Sequence, residues 1–513
     1  MRSRRQKTPT TDGRSRARAG LLARCLLAAL VASPGGADDS DDPSDAVLDE
    51  IVVTAGKKEV DLQEAPLPVS VLTATDFERS NLVKLDNVDG QVPGLMVTKN
   101  DGAGRVVSVR GVGWETAQNL STQPSVLVYM DGVYLANPLA LGLHLGEIES
   151  IQVLRGPQGT EFGQGTTGGA INVVTRRADF SGPSGSAALG LGTHRLVELA
   201  ASANLPVGEK LAFRASARRH RRDGFAEIEV GALDGYELDD ADALLGHLSA
   251  EWIASGDLSL RLAGYFHASD QNGAAQKQLD DPNPDPRRLT QDYPSTFELD
   301  NRWLAASVDW DLTPLVKLRS STGLQSLAKR QTVDGDRLTE ELVSVDLTGF
   351  GPANFDLLPF WDNESEVFSQ EIDLLGGGTR TDWVAGVHYV RHENRNFFLE
   401  AIGPAPVSQF EEQLENPSPE TLPPFVPPLE FVEDRTVTRT DLALFGQTRV
   451  RAGDRWTLTL GGRLQRDRAT DRTTQYWFIE SREVVDDSAF TWRLGTDVRL
   501  TADHLLYGTA STG

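Results

Sequence analysis

From Ser184 onward the chain repeats one pattern: segments of about ten residues that alternate apolar and polar, joined by short and long connections in rotation. In Leu211–Arg218, Leu211, Phe213, Ala215 and Ala217 fall on one face, and Ala212, Arg214, Ser216 and Arg218 on the other. Leu258–Phe266 and Trp456–Leu464 repeat this, with Leu258, Leu260 and Leu262, then Trp456, Leu458 and Leu460, sharing a face. Successive side chains of a strand point to opposite sides, so each segment reads as a β-strand with one apolar face. That period fits a soluble β-sandwich as well as a transmembrane β-barrel. The connections separate the two. Pro206–Lys210, Ala254–Asp257, Asp311–Pro314, Gly376–Arg380 and Arg451–Arg455 are short, whereas Arg222–Asp242, Ser269–Asp300, Ala328–Glu364, Glu393–Val437 and Ala469–Ser488 are long. Short turns at one end and long loops at the other are the barrel arrangement, and so many long irregular loops would be out of place in a compact soluble domain. The expectation is an antiparallel transmembrane β-barrel of about 13 strands over residues 178–513. A barrel with a plugged lumen takes about 22 strands, and an open edge in lipid leaves backbone groups unpaired. The chain therefore reads as about 13 of an expected 22 strands, shortened at its C-terminus.

The region before the barrel is of another kind. From Val69 to Thr175 it reads as a compact α/β unit, with strands at Val69–Thr73, Val106–Arg110, Ser125–Met130, Ser150–Leu154 and Ile171–Thr175, each bounded by Gly or Pro. Thr75 and Glu78 have the spacing of a capping box, and Leu85–Gln91 reads as a second helical turn stopped by Pro93-Gly94. Its last part, Val153–Thr175, holds six glycines between two β-rich runs: Gly156, Gly159, Gly163, Gly165, Gly168 and Gly169. That density implies backbone that passes other backbone closely or takes positive φ. It is not a phosphate-cradling loop, because no Gly-Lys-Ser/Thr follows and Ile171–Thr175 is a strand rather than a helix.

The N-terminus is basic, with Arg2, Arg4, Arg5, Lys7, Arg14, Arg16 and Arg18 ahead of the apolar run Gly20–Ala32 and the small residues ending at Ala37. This is the layout of a secretory signal over residues 1–37, with cleavage near Ala37. The single cysteine, Cys25, falls inside it, so the mature chain would have no disulfide and rely on burial and strand pairing. The chain's net charge is −24; residues 1–37 contribute +7 and the rest carries −31. An acidic exported protein is a poor match for nucleic acid. No apolar run is long enough for a spanning helix. No nucleophile elbow, zinc-protease motif or defensible carboxylate pair is present, so the reading is not an enzyme and implies no cofactor. His388 and His392 share a strand face but have no third ligand at metal-site spacing.

Several motifs follow in a fixed order. Asp49-Glu50-Ile51-Val52-Val53-Thr54-Ala55 comes first, then Val92-Pro93-Gly94-Leu95, Val109-Arg110-Gly111, Val128-Tyr129-Met130-Asp131-Gly132-Val133, Leu154-Arg155-Gly156-Pro157-Gln158-Gly159-Thr160 and Gly168-Gly169-Ala170-Ile171-Asn172. In the barrel stand Phe368-Ser369-Gln370-Glu371, Trp383-Val384-Ala385-Gly386 and Ala443-Leu444-Phe445-Gly446-Gln447. No tripeptide is specific alone, but the ordered set resembles TonB-dependent outer-membrane receptors, in which a plug domain sits inside the barrel. Glu161 stands where relatives commonly have an apolar residue, and Gln164-Gly165 replaces a common Arg-Asn.

The resemblance implies a plug over residues 69–177 and a flexible periplasmic segment over 38–68, with a linker at Lys57–Pro68. Asp49, Glu50, Ile51, Val52, Val53, Thr54 and Ala55 would be the TonB box, adding a strand to the inner-membrane TonB protein so that main-chain hydrogen bonds carry a pull. Arg110 and Arg155 would face the barrel interior and need partners, with Glu371, Glu147 and Glu149 as candidates; a releasable latch and a static pair are both open. Trp114, Tyr134 and His144 in the plug, and Tyr389 and His392 in the barrel, are the residues best able to contact ligand; plain packing is the alternative for each. The implied activity is uptake of a scarce, large ligand, a ferric siderophore or other iron complex first, with cobalamin or a carbohydrate, or a non-transporting adhesin or porin, as alternatives. The implied surroundings are outer-membrane lipid.

Overall fold

The computed structural model describes residues 52–55, 58–61, 68–80, 88–100, 104–113, 124–136, 148–163, 166–338, 344–345, 353–354, 356–403, 431–453, 455–476, 478–501 and 504–512. The expected signal, Asp49, Glu50, Ile51, Trp114, His144 and Glu147 lie outside them.

The first described elements are β1 (Val52–Ala55) and β2 (Lys58–Asp61), paired antiparallel with Val52 opposite Asp61 and Ala55 opposite Lys58. Lys58–Asp61 therefore departs from the linker expected there and pairs with the β-branched run of β1.

The plug begins with β3 (Val69–Thr73) and the helix Ala74–Arg79. The capping box is Thr73 with Asp76, not Thr75 with Glu78. Thr73 N–H and Oγ1 each donate to Asp76 Oδ2 at 2.8 Å, and Asp76 N–H returns to Thr73 Oγ1 at 3.4 Å. A three-stranded antiparallel sheet follows: β4 (Leu95–Asn100), β5 (Gly104–Val109) and β6 (Val112–Gly113). The main plug sheet adds β7 (Val126–Met130), β8 (Val133–Leu135), β9 (Ile148–Arg155) and β10 (Gly169–Thr175), in the order β3-β9-β10-β7-β8. β10 runs parallel to β7 and antiparallel to β9. These central strands are nearly continuous apolar runs because both faces are covered. Val126, Val128, Ile151, Val153, Ile171 and Val173 bury on one side, and Leu127, Tyr129, Leu154 and Ala170 on the other. The Gly-rich connection between β9 and β10 holds a one-turn helix, Gly159–Phe162. Gly169 shows why glycine is needed: its φ is +153°, and a Cβ there would lie 2.3 Å from the Leu154 carbonyl oxygen.

The wall is one antiparallel sheet of 13 strands, the number expected. It runs β11 (Ser184–Gly192), β12 (Leu196–Val207), β13 (Leu211–Arg222), β16 (Ala241–Ile253), β17 (Leu258–Asn272), β19 (Thr296–Thr313), β20 (Val316–Thr332), β23 (Asp356–Gly377), β24 (Thr381–Gly403), β25 (Phe431–Ala452), β26 (Trp456–Gln475), β27 (Ile479–Thr501) and β28 (His504–Ser511). The intervening β14 (Ala226–Ile228), β15 (Glu237–Leu238), β18 (Arg288–Leu289), β21 (Ser344–Val345) and β22 (Ala353–Asn354) form small sheets in the long loops. Among the described residues the pairing does not join β28 to β11. No described helix is long and apolar enough to cross a membrane.

The alternation is realised in three dimensions. Leu304, Leu324 and Phe368 are successive cross-strand partners and all remain exposed, as do Leu262, Leu442 and Leu460. On the opposite face of the same strands, Trp303, Leu327 and Val367 are buried. The exposed series is the lipid face, and the buried series faces the lumen and plug. The long loop expected at Ala469–Ser488 is mostly strand: β26 runs to Gln475 and β27 starts at Ile479. These strands carry polar residues on both faces at that end, so the period that marks a half-buried strand is missing there while the backbone ladder continues.

Candidate functional site

The functional geometry lies where the plug meets the wall. β7 and β8 are joined at Asp131-Gly132, both at positive φ. Asp131 Oδ1 accepts the Thr175 N–H at 2.9 Å and Oδ2 accepts the Thr175 hydroxyl at 2.8 Å, tying the turn to the end of β10. From β17, Arg261 reaches this corner. Its Nη2 lies 3.1 Å from Asp131 Oδ2 and donates to Thr175 Oγ1 at 2.9 Å, while its Nε lies 3.0 Å from Glu251 Oε1 on β16. Both Asp131 and Arg261 are almost fully buried, so each charge depends on the other.

A second contact lies along β20. Gln325 Nε2 donates to the Tyr134 carbonyl oxygen at 2.8 Å, and its Oε1 accepts the Ala136 N–H at 3.4 Å. Gly323 leaves room for Val133, whose Cγ1 would lie 2.2 Å from a Cβ at that position.

The third contact holds the helix Gly159–Phe162 against β25, β26 and β27. Arg463 is buried at 2% exposure; its Nε donates to Gln465 Oε1 at 2.8 Å, and its guanidinium lies 5.5 Å from the Phe445 ring centre. Its Nη2 stands 3.3 Å from His388 Nδ1 and 3.8 Å from Asp441 Oδ1, and Gln465 also donates to Asp441. The same guanidinium packs on Gly163, where φ is +93° and a Cβ would fall 2.8 Å from Nη2.

These contacts rearrange the sequence-based expectations. Arg110 is not in a strand; it sits exposed in the turn after β5, with φ of +54°. Arg155 ends β9 and donates from Nε to the Pro68 carbonyl oxygen at 3.4 Å. Glu371 is on β23, in the same inward register as Ser369 and Asp373. One plug–wall ion pair among the described residues joins Asp131 and Arg261, an acid on the plug and a base on the wall. The Asp-Gly turn was visible in sequence; its partner, on a strand far along the chain, was not.

Of the ligand-contact candidates, Tyr134 is on β8, half-buried, with its ring 5.8 Å from that of Tyr129. His392 faces inward from β24, its Nε2 2.9 Å from Ser365 Oγ. Tyr389 has the opposite parity. It packs 6.1 Å from Phe368, a residue of the lipid face, so it points away from the lumen. No group of three or more metal-ligating side chains occurs among the described residues.

Residues 61–170 match the model of the TonB-dependent receptor plug domain, and residues 249–513 match that of the TonB-dependent receptor-like β-barrel. The chain belongs to the TonB-dependent receptors. They are outer-membrane receptors rather than enzymes. Among its relatives, the pesticin receptor of Yersinia pestis is 27% identical over 293 residues, which is 55% of this chain and 39% of that protein. The vitamin B12 transporter BtuB of Vibrio vulnificus (strain CMCP6) is 28% identical over 223 residues, 40% of this chain and 35% of that protein. The chain thus spans under two fifths of the length of these two TonB-dependent receptors where it matches them. Among solved structures, the ferric yersiniabactin uptake receptor FyuA from Yersinia pestis aligns with a TM-score of 0.68 at 18% identity, covering 86% of this chain and 64% of that one. The ferripyoverdine receptor of Pseudomonas aeruginosa aligns at 0.64 with 14% identity, covering 90% and 58%. At such identities the likeness is one of fold.

Proposed function

We propose that this receptor imports a scarce, large ligand across the outer membrane, an iron complex first, using energy delivered by TonB. The observation that carries the reading is a plug pinned to a wall at a few polar points, preceded by a short β-prone segment. The outer membrane has no ATP of its own, so the work must arrive by contact. Val52–Ala55 pairs on one side with Lys58–Asp61; among the described residues no strand joins its other edge, the edge a partner strand would use. Asp49–Ala55 is the TonB box in this reading, and Asp131–Arg261 is the pair a pull would first load. Two receptors for iron complexes among the structural neighbours favour iron; the 28% identity to a vitamin B12 transporter favours cobalamin as the second reading.

Ile51→Pro in the full protein tests this. Proline removes a main-chain donor from the pairing segment. Energised uptake of labelled iron complex is expected to stop while binding at the cell surface persists. Uptake that survives the change would exclude the box assignment, and uptake of cyanocobalamin but no iron complex would select the second reading.

A further inference from the structure

On the outer face of β24, β25, β26 and β27 the lipid series gives way to arginine. Leu442 and Leu444 on β25, Leu460 and Leu464 on β26, and Phe490 and Trp492 on β27 are exposed. Residues two apart on a strand share a face. Past Leu464, toward the long-loop end, the same face of β26 therefore carries Arg466, Arg468, Thr470 and Arg472. On β27 it carries Asp486, Val484 and Arg482, on β25 Thr440, Thr438 and Thr436, and on β24 Arg391, Glu393 and Arg395. All of these arginines are exposed.

The register sorts them into rows. Arg391 is the cross-strand partner of Thr440, and Thr440 of Arg468; at the next level Arg395 pairs with Thr436, and Thr436 with Arg472. Neighbouring strands lie about 4.8 Å apart, so the two arginines that flank each threonine stand about 10 Å apart with its hydroxyl between them. Two guanidinium forks converging over a hydroxyl suit a phosphate. The upper row continues to Arg482, directly opposite Arg472. Like charges in that register repel, and neither arginine has an ion pair or hydrogen bond among the described residues. An anion seated over them would relieve the repulsion. Two acids lie inside the patch. Glu393 is between the rows, 3.3 Å from Arg391 and 3.0 Å from Arg395, and Asp486 accepts Arg466 Nε and Nη2 at 2.8 Å each. Other acids bound it: Asp434 and Glu480 flank Thr474 beyond the upper row, and Glu364 and Glu366 on β23 stand opposite Arg395 and Glu393. Within those bounds cations exceed acids, in a chain whose net charge is −24.

Height identifies the occupant. At about 3.3 Å per residue and a tilt of about 40°, the lower row stands about 10 Å above Leu464 and the upper row about 20 Å. A phospholipid head-group layer is only about 5–7 Å deep. A lipid that reaches both rows needs a tall head group with a phosphate at each level. We infer that this face binds a phosphorylated glycolipid of the outer membrane, in the leaflet on the long-loop side. One phosphate sits between Arg391 and Arg468, and another among Arg395, Arg472 and Arg482. The contact fixes the depth of the wall in the membrane whichever ligand is imported.

Anisotropy of fluorescent lipopolysaccharide, titrated with the purified full protein in a non-ionic detergent, tests this. Arg468→Gln with Arg472→Gln is expected to weaken binding at least tenfold, and added salt to weaken it in the parent. Arg468→Lys with Arg472→Lys keeps the charge and should recover part of the loss. Arg302→Gln with Arg330→Gln, on the outer face of β19 and β20, should leave binding unchanged. Thr436→Val with Thr440→Val, expected to weaken binding several-fold, keeps the site testable where the glutamine pair fails to fold. Equal binding by the glutamine pair on β26 and the parent, or an equal loss in the β19–β20 pair, overturns the site. Equal affinity for dephosphorylated lipopolysaccharide overturns the phosphate contact. Equal affinity for phosphatidylglycerol vesicles, or full competition by millimolar inorganic phosphate, overturns the two-level head group.

Discussion

Asp131 on the plug and Arg261 on the wall approach to 3.1 Å with both side chains withdrawn from solvent. Arg261 also faces Glu251 at 3.0 Å, so one guanidinium serves two carboxylates. The two partners are therefore unequal. Arg261→Met strips the cation from both acids and is expected to cost about 3–5 kcal/mol of plug stability. Asp131→Asn leaves Arg261 with Glu251, keeps an acceptor for the Thr175 N–H and suits the positive φ; its expected cost is about 1–3 kcal/mol. Urea titration of the purified protein, followed by exchange of the β7 and β10 amides, checks the order. Equal costs would mean that Glu251 does not share the arginine.

Gly163 and Arg463 make a steric prediction. A methyl group at Gly163 meets the guanidinium at 2.8 Å and must also hold a φ of +93°. Gly163→Ala is expected to destabilise the plug by at least about 1–3 kcal/mol from the backbone alone. Adding Arg463→Lys keeps a cation near Asp441 but thins the side chain, so it should recover the steric part and leave the backbone part. Thermal unfolding monitored by tryptophan fluorescence reads both; a double variant no better than Gly163→Ala would place the whole cost in the backbone.

Much of this architecture is legible in the sequence, and the exceptions have physical causes. The wall shows because a strand with lipid on one face and plug on the other must alternate, as Leu304 and Trp303 do. The alternation fades where both faces meet polar surroundings, which hides the ends of β26 and β27. The helix start offers two boxes two residues apart, Thr73 with Asp76 and Thr75 with Glu78; the helix begins at Ala74, so Thr73 stands at its cap and bonds Asp76. The Lys58–Asp61 strand has no apolar signature, yet it pairs with β1. Arg110 looked buried because it follows a buried β5 run, yet the chain turns there. The Asp131–Arg261 pair joins residues that only the seating of plug on wall brings together, and no local pattern encodes that.

Asp334 gives a pH-dependent prediction in the loops. It lies just past the end of β20, accepts the Asp292 and Tyr293 N–H groups at 3.1 Å each and the Arg337 N–H at 2.6 Å, and is almost fully buried. Burial, reinforced by Asp336 nearby, pushes its carboxyl up from 3.8 to about 8. Between those values the folded loop holds a proton that the opened loop releases, so its stability falls as pH rises from about 4 to about 8. Hydrogen exchange at Asp292 and Tyr293, corrected for intrinsic rates, is expected to show opening that grows across this window. Asp334→Asn cannot ionise and should flatten the profile; a slope that persisted in that variant would assign the effect to another group.

Tyr389 and His392 are three apart on one strand and so face opposite ways. Tyr389 packs on Phe368 at the lipid face, while His392 bonds Ser365 inside. Tyr389→Ala should therefore leave ligand affinity unchanged and weaken the wall by about 0.5–1.5 kcal/mol through the lost ring pair. His392→Ala acts on the lumen side, leaving Ser365 without its partner, and is the variant expected to alter binding or plug seating. Surface binding of labelled iron complex and cyanocobalamin to cells carrying each variant, beside the unfolding temperature of the purified proteins, separates the two. A loss of affinity in Tyr389→Ala at unchanged stability would contradict the outward placement and return that residue to the lumen.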